Sequence, residues 1–235
     1  HQRGLREQAG PSQELPVRES RVGTKTRPRG APLRHRRKGP QPLSGHRFDP
    51  VPDPPIPPLE AGFFGRPVLR VSRELLGKPL VFLRNGEWLA LPITEVEAYD
   101  GPGDKACHAH CGRTKRSEVL FGPPGHWYVY LCYGIHWLAN LVTGPVDYPA
   151  AVLLRGAGPY DGPGKLTKGI GLDGSRNRSP VAPGTGFYVG EGPVLPPARY
   201  RRKPRVGIDY AGPVWAAKPY RFVLRGGDRS AGPVT

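Results

Sequence analysis

Two short turns between runs of β-forming residues most constrain how this chain folds. The first lies between an apolar run at residues 79–83 and a longer run at residues 88–99, where Asn85 precedes Gly86. Asn-Gly is a preferred pair for a two-residue hairpin turn, because both residues adopt positive φ at low cost. The pattern therefore predicts two antiparallel strands joined by a tight turn.

A second hairpin is predicted further along the chain. Residues 126–132 are rich in aromatic and β-branched side chains, residues 135–142 follow closely, and Tyr133 and Gly134 lie at the tip. Other strands are predicted at residues 150–155, 187–189, 205–208 and 220–224, and helices at residues 68–76, ending at Gly77, and 164–172. Together these elements predict an α+β fold: one mixed domain on a curved antiparallel sheet with short helices around it.

The first 58 residues have a different composition. Residues 1–50 contain 12 Lys and Arg against 4 Asp and Glu, with no aromatic residue before Phe48, and residues 50–58 are rich in proline. Such a stretch buries too little apolar surface to offset the entropy lost on ordering. We therefore predict a disordered basic tail at residues 1–58 and one folded domain at residues 59–235.

Charge and cysteine content narrow the functional class. The 35 Lys and Arg exceed the 19 Asp and Glu by 16, and such a surplus attracts polyanions, most commonly nucleic acid. Three cysteines are too few for a disulfide framework, which favours a reducing compartment. The sequence has neither a long apolar run nor an apolar signal segment, so we expect a soluble intracellular protein with no membrane partner.

Two segments contain side chains suited to chemistry. If residues 93–99 form a strand, Glu95, Glu97 and Tyr99 share one face, where a carboxylate and a phenol can form part of a pocket wall. A strand with a solvated polar face has the same pattern. Tyr133 at a hairpin tip of a basic protein suits a wedge that enters DNA, although a packed aromatic hairpin is the alternative.

A group of potential metal ligands lies between these segments. Cys107, His108, His110 and Cys111 fall within five residues. Structural zinc sites usually separate their ligand pairs more widely, and the sequence has no second pair. We therefore predict no metal and no other cofactor.

Read together, several segments resemble the alkyladenine (3-methyladenine) DNA glycosylase family. The resemblance spans residues 59–226, with its pieces in the family's order and at similar spacing. It is carried by residues 95–99 with 101–104 and His108, 124–134 leading to Asn140, 152–155, 162–166, 205–208 and 218–222. The predicted tail lies outside it.

The resemblance implies a water-mediated excision of a damaged purine. Glu97 would be the general base that activates the attacking water, and Arg155 would lie beside the water and the carboxylate. A neighbouring arginine is expected to keep Glu97 ionised. No lysine occurs in the matching pocket motifs at residues 95–104, 124–134 and 152–155, although Lys105 lies near them, so a monofunctional enzyme without lyase activity is expected.

The same resemblance implies how the base would be held. Tyr99 would stack on one face of the extruded base, with His108 and Tyr130 on the other. Asn140 would crowd the exocyclic amine of normal guanine and so reject it. Tyr133 would enter the minor groove and fill the gap that the extruded nucleotide leaves.

The implied partner is duplex DNA containing a damaged purine, bound by a monomer in the cytoplasm or nucleoid of a bacterium, or in a nucleus if the source is eukaryotic. Cys107, His110 and Cys111 depart from the family pattern beside the pocket, which leaves the range of lesions open. Three alternatives remain: a non-catalytic nucleic-acid-binding module, a metal hydrolase using the cysteine- and histidine-rich loop, and a nucleic-acid chaperone acting through its tail.

Overall fold

The computed structural model describes residues 52–226 together with the backbone of residues 232–233. Within these residues the chain forms four short α-helices and ten strands. The helices are α1 (Ala61–Phe64), α2 (Val68–Leu75), α3 (Pro163–Ile170) and α4 (Pro213–Ala217). The strands are β1 (Pro79–Arg84), β2 (Glu87–Asp100), β3 (Trp127–Cys132), β4 (His136–Thr143), β5 (Ala150–Ala157), β6 (Tyr160–Asp161), β7 (Phe187–Val189), β8 (Tyr200–Lys203), β9 (Arg221–Leu224) and β10 (Gly232–Pro233).

The strands join in one open antiparallel sheet, which confirms the predicted α+β fold. Its main path runs β3-β4-β5-β2-β1-β7, with β9 between β2 and β8. The long strand β2 pairs with β1 along its first half and with β5 and β9 along its second half. Glu97 lies in that second half, opposite Leu153 on one side and Arg221 on the other, so the sheet interior holds it from both sides.

Both predicted hairpins are confirmed. Asn85 and Gly86 have φ of 52° and 82°, and Tyr133 and Gly134 have φ of 50° and 69°. Two consecutive positive φ values are those of the tight turn that follows the twist of paired strands. A bulky residue such as Tyr133 rarely adopts positive φ, and strain of this kind is concentrated at functional positions.

The predicted helices are confirmed with small shifts at their ends. The helix α2 packs Val68, Val71 and Leu75 into the core and ends just before Gly77, whose φ is 81°. The helix α3 ends at Gly171, where the left-handed backbone closes the last turn. No helix in the described part of the chain combines the length and apolar character needed to cross a membrane.

One predicted strand is wrong. Residues 205–208 form no strand, and the chain pairs earlier instead, through β8 (Tyr200–Lys203) against β9. Pro204 has no N–H to donate to a ladder, and Gly207 has a φ of 72° that bends the chain out of the sheet. After β8 the chain therefore leaves the sheet, and residues 205 and 206 lie against the second half of β2.

The described part of the proline-rich stretch packs against the domain. The indole of Trp88 donates a hydrogen bond to the carbonyl of Pro52 at 3.0 Å, and the hydroxyl of Tyr188 donates to the carbonyl of Ile56 at 2.9 Å. The Ile56 side chain also packs on the hydrophobic core. Residues 1–51 lie outside the described residues, so the basic tail that they would form stays a prediction.

Candidate active site

A cavity of about 380 Å³ opens where β2, the β3–β4 hairpin and the segment after β8 meet. That volume lies in the range typical of small-ligand pockets. The cavity wall includes the seven residues to which the resemblance assigns a role: Glu97, Tyr99, His108, Tyr130, Tyr133, Asn140 and Arg155. Four strands and two loops supply them, so only the folded sheet brings them together.

Glu97 is the central group of this pocket. Its side chain is fully buried; Oε2 accepts a hydrogen bond from the Tyr99 hydroxyl at 2.9 Å, and Oε1 accepts one from the backbone N–H of Val206 at 2.8 Å. Burial raises the pKa of Glu97 above its ordinary 4.5, and the Arg155 charge and these hydrogen bonds oppose that rise. Arg155 therefore favours the ionised form of Glu97, as expected, but burial has the larger effect on its pKa.

Arg155 is held between two carboxylates. Its Nε lies 2.9 Å from Oε1 of Glu95 and 3.4 Å from Oε1 of Glu97. Arg221 also contacts Glu95, at 3.1 Å. Glu95 and Glu97 thus share one face of β2, as predicted, but Glu95 is engaged by two arginines and does not line the pocket.

Aromatic rings form another wall. The ring centres of His108 and Tyr130 are 4.7 Å apart at 71°, and those of Tyr128 and Tyr130 are 5.2 Å apart. His108 Nδ1 and the Tyr128 hydroxyl share a 2.8 Å hydrogen bond. Burial, with the nearby charge of Arg116, lowers the pKa of His108 to about 4, so its imidazole is neutral at neutral pH.

Asn140 and Tyr133 occupy opposite environments in the same pocket. Asn140 is buried on β4, and its Nδ2 donates a hydrogen bond to the carbonyl of Tyr128 at 3.0 Å. Tyr133 is 92% exposed at the hairpin tip. One is therefore a fixed amide in the pocket wall, and the other is a free aromatic side chain at the rim.

A buried ion pair between Asp104 and Arg205 was not predicted. Arg205 Nη2 donates to Oδ1 of Asp104 at 2.8 Å, and its Nη1 donates to the carbonyl of Ala98 at 2.8 Å. The guanidinium also lies 4.7 Å from the centre of the Tyr99 ring. Asp104 belongs to a segment that entered the resemblance, but the sequence separation of 101 residues leaves no local signal for the contact.

The comparisons with known proteins identify the family of this chain. The sequence model of the methylpurine-DNA glycosylase (MPG) family matches residues 62–162 and 160–228. This chain belongs to the methylpurine-DNA glycosylase family. The match covers most of the described residues and confirms the resemblance seen in the sequence.

Three relatives of this family member align with it over most of their own length. It is 44% identical over 175 residues to a protein of Anaeromyxobacter dehalogenans, covering 72% of this chain and 82% of the relative. It is 43% identical over 176 residues to one of Myxococcus xanthus, covering 71% and 90%. It is 41% identical over 187 residues to one of Methanocella arvoryzae, covering 71% and 92%. The names of all three include the words 3-methyladenine DNA glycosylase.

The sequence did not predict two further side chains that line the pocket of this methylpurine-DNA glycosylase family member, Arg116 and Tyr210. The guanidinium of Arg116 lies 4.7 Å from the centre of the Tyr130 ring. Tyr210 is 70% exposed on the segment after β8, and its hydroxyl donates a hydrogen bond to the carbonyl of Ala106 at 3.2 Å. An exposed arginine and an exposed tyrosine are common on any surface, so only the fold reveals their position.

The cysteine- and histidine-rich loop of this family member directs its side chains to separate partners. The Cys107 thiol is buried and faces the carbonyl of Pro149 at 3.5 Å, while His110 Nδ1 lies 2.8 Å from the carbonyl of Pro102. Cys111 is exposed. Across residues 52–226, no three His, Cys, Asp or Glu side chains are grouped so that they could hold a metal ion.

Proposed function

We propose that this chain is a monofunctional DNA glycosylase that acts in base excision repair. It extrudes a damaged purine from duplex DNA and hydrolyses the N-glycosidic bond, leaving an abasic site. The proposed lesions are 3-methyladenine, 7-methylguanine, hypoxanthine and ethenoadenine. The observation that carries the proposal is the buried Glu97 beside Arg155, in a pocket whose other walls are aromatic.

The pocket suits a flat, electron-poor ring. Tyr99 would stack on one face of the extruded purine, and His108 and Tyr130 would contact the other. Alkylated purines carry positive charge, and electron-rich rings attract cations by roughly 0.5–2 kcal/mol. A neutral His108 supports this role because it adds no opposing charge. The buried Asn140 would exclude the exocyclic amine of normal guanine.

The chemistry requires an ionised base and a water molecule. The C1′–N bond breaks with its electron pair going to the purine, and the sugar passes through an oxocarbenium-like state. Glu97 takes a proton from water as the water oxygen bonds to C1′, and its charge stabilises the cationic sugar. Arg155 would orient the carboxylate and the water. A cationic purine leaves as a neutral base and needs no further proton. A neutral purine such as hypoxanthine must also take up one proton, which balances the proton that Glu97 removes from the water.

A water nucleophile is favoured over a Schiff base. No lysine is among the described residues that line the pocket, and Lys105 is exposed on the loop beside it. A lyase would require an amine within reach of C1′. The proposed product is therefore an intact strand with an abasic site.

Extrusion needs a group that fills the gap in the duplex. An enzyme that acts on a base inside the stack must flip it out, at a cost of a few kcal/mol. Tyr133 supports this role because it lies exposed at a tight turn on the pocket rim. Duplex DNA is the proposed partner, and the chain is proposed to act as a monomer.

The test uses a duplex with one hypoxanthine or one ethenoadenine. Wild type, Glu97→Gln and a surface control, Glu118→Gln, are incubated with it and then treated with alkali. Breaks should form only after alkali, with wild type and the control, while Glu97→Gln loses about 10²–10⁴-fold in rate.

Three other outcomes would contradict the proposal. Breaks without alkali would indicate a lyase and point to Lys105. Equal activity of Glu97→Gln would remove the proposed base. Failure to release any purine from these duplexes or from alkylated DNA would leave a non-catalytic binding module.

A further inference from the structure

A second depression in the surface lies between α2, β8 and β9. Five basic residues line it, and we refer to them as the basic groove: Arg73, Arg201, Arg202, Lys203 and Arg225. No acidic residue is among its described lining, and across residues 52–226 none of these five side chains forms an ion pair. So many uncompensated cations in one concavity focus a positive potential that attracts a polyanion.

The backbone holds part of the basic groove in place. Arg225 Nε donates a hydrogen bond to the carbonyl of Tyr200 at 3.2 Å, and Arg202 Nε donates to the carbonyl of Pro219 at 3.3 Å. The Arg202 guanidinium also lies 5.6 Å from the centre of the Phe222 ring. Guanidinium groups anchored in this way lose less conformational freedom when they bind a phosphate.

The composition of the basic groove favours a DNA backbone over bases. Tyr200, the aromatic residue in its described lining, is buried, so it offers no exposed ring on which a base could stack. Arginine and lysine contacts to phosphate carry no sequence information and supply much of the affinity of DNA-binding proteins. A lesion can occur in any sequence, so contacts of this kind suit the proposed substrate.

The basic groove and the active site are joined by a short stretch of sequence. Lys203 ends β8, and Val206, three residues later, lines the pocket and donates to Glu97. An extended chain spans at most about 3.6 Å per residue, so the two α-carbons lie within about 11 Å of each other. One strand of DNA rises about 3.4 Å per nucleotide along the helix axis. The distance from Lys203 to the pocket segment therefore corresponds to at most about three nucleotides.

We infer that the end of the basic groove at Lys203 binds the sugar–phosphate backbone flanking the damaged nucleotide, within about three nucleotides of it. This inference rests on the proposed function, because it takes the extruded nucleotide in the pocket as its reference point. It adds a DNA-contact surface outside the pocket, and that surface would position the duplex without contributing to the chemical step.

The test compares two arginines on the same helix. Arg73 lines the basic groove, whereas Arg70 lies three residues away and pairs with Glu74 at 2.9 Å. Arg73→Gln and Arg70→Gln remove the same charge. The dissociation constant for a lesion duplex is measured by fluorescence anisotropy at several salt concentrations, together with the single-turnover excision rate at saturating protein.

Arg73→Gln should reduce the slope of log Kd against log salt by about one, and Arg201→Gln with Lys203→Gln by about two. The double variant should bind about tenfold more weakly at low salt. Arg70→Gln should bind like wild type, and all these variants should excise at the wild-type rate when saturated. Equal slopes for the Arg73 and Arg70 variants would overturn the inference.

A second measurement locates the contact on the DNA. Single phosphates of the lesion duplex are replaced by neutral methylphosphonates, one position at a time. Replacement at the contacted phosphates, within about three nucleotides of the lesion, should weaken the binding of wild type. It should not weaken the binding of the Arg201→Gln, Lys203→Gln protein further, because the losses from two groups in contact are not additive. Additive losses at every position would contradict the inference.

The binding and excision assays separate the two proposals. If wild type excises the lesion while the groove variants keep its salt slope, the inference fails and the proposed function stands. If no lesion is excised yet the groove variants lose slope on duplex DNA, the proposed function fails and the basic groove remains a DNA-binding surface without a defined distance to a lesion.

Discussion

Arg205 and Asp104 form a bidentate ion pair whose side chains are both 0% exposed. Asp104 lies in the loop that carries His108, and its carboxylate also accepts the backbone N–H of Ala106 at 3.0 Å. Arg205 directly precedes Val206, which donates to Glu97. The pair therefore ties the loop of the aromatic wall to the segment that holds the proposed base.

Removing one member of this pair should destabilise the domain strongly. Arg205→Ala leaves Asp104 buried without its cation, and such losses are about 3–5 kcal/mol. Replacing both members, by Arg205→Met with Asp104→Asn, should recover much of that loss because no charge remains buried. Urea unfolding monitored by circular dichroism measures both. A single variant as stable as wild type would show that the pair contributes little.

The excision rate should have an acidic limb above pH 4.5. Burial raises the pKa of Glu97, and a protonated carboxyl cannot accept a proton from water, so activity falls as pH drops through that raised value. Tyr99→Phe removes a hydrogen bond to the carboxylate and should move the limb to higher pH. Single-turnover release of 7-methylguanine measures the limb, with Tyr148→Phe as the control. A limb at or below pH 4.5 would contradict this assignment.

The stability of the domain should fall in acid through His108. Its folded pKa of about 4 lies below the ordinary 6.5, so the unfolded chain binds a proton first as pH drops. The contribution is fully present above pH 6.5 and is lost as pH falls towards 4, by up to about 3 kcal/mol. Urea unfolding across this range should show a shallower dependence for His108→Gln than for wild type or for the exposed-site control His136→Gln. Parallel curves for all three would refute the prediction.

Tyr133→Gly should separate backbone strain from function. Tyr133 has a φ of 50°, which glycine adopts without a steric penalty, so the variant should be as stable as wild type or up to about 1 kcal/mol more stable. Excision from duplex DNA should nevertheless fall, and excision from a mispaired lesion should fall less, since less pairing must be broken. Asn85→Gly makes the same backbone change in the other hairpin and should leave excision unchanged. Equal losses on both substrates would argue against a wedge.

Arg116→Gln should shift the preference towards cationic lesions. Arg116 lies over the Tyr130 ring, so its charge would compete with a cationic purine for the same electron-rich ring. We expect kcat/KM for 7-methylguanine to rise about tenfold relative to kcat/KM for hypoxanthine, which corresponds to about 1.4 kcal/mol. Parallel changes for the two lesions would show that Arg116 acts only through general DNA binding.

Local sequence determined the parts of this protein that depend on near neighbours. Asn85 with Gly86 specifies its turn, because both residues adopt positive φ at low cost, and Gly134 does the same at the second hairpin tip. The alternation along β2 placed Glu97 and Tyr99 on one face, where their side chains share a 2.9 Å hydrogen bond. These features follow from the two-residue period of a strand, which needs no knowledge of the rest of the fold.

Only the tertiary structure decided which of the candidate groups meet. Glu95 and Glu97 are equivalent in the strand pattern. In the fold, Glu97 is buried in the pocket, whereas Glu95 forms ion pairs with Arg155 and Arg221. The segment predicted as a strand at residues 205–208 instead supplies Arg205 to Asp104, 101 residues away. Contacts of that separation depend on how the sheet is connected and on which buried polar groups find partners, and neither is encoded in a local pattern.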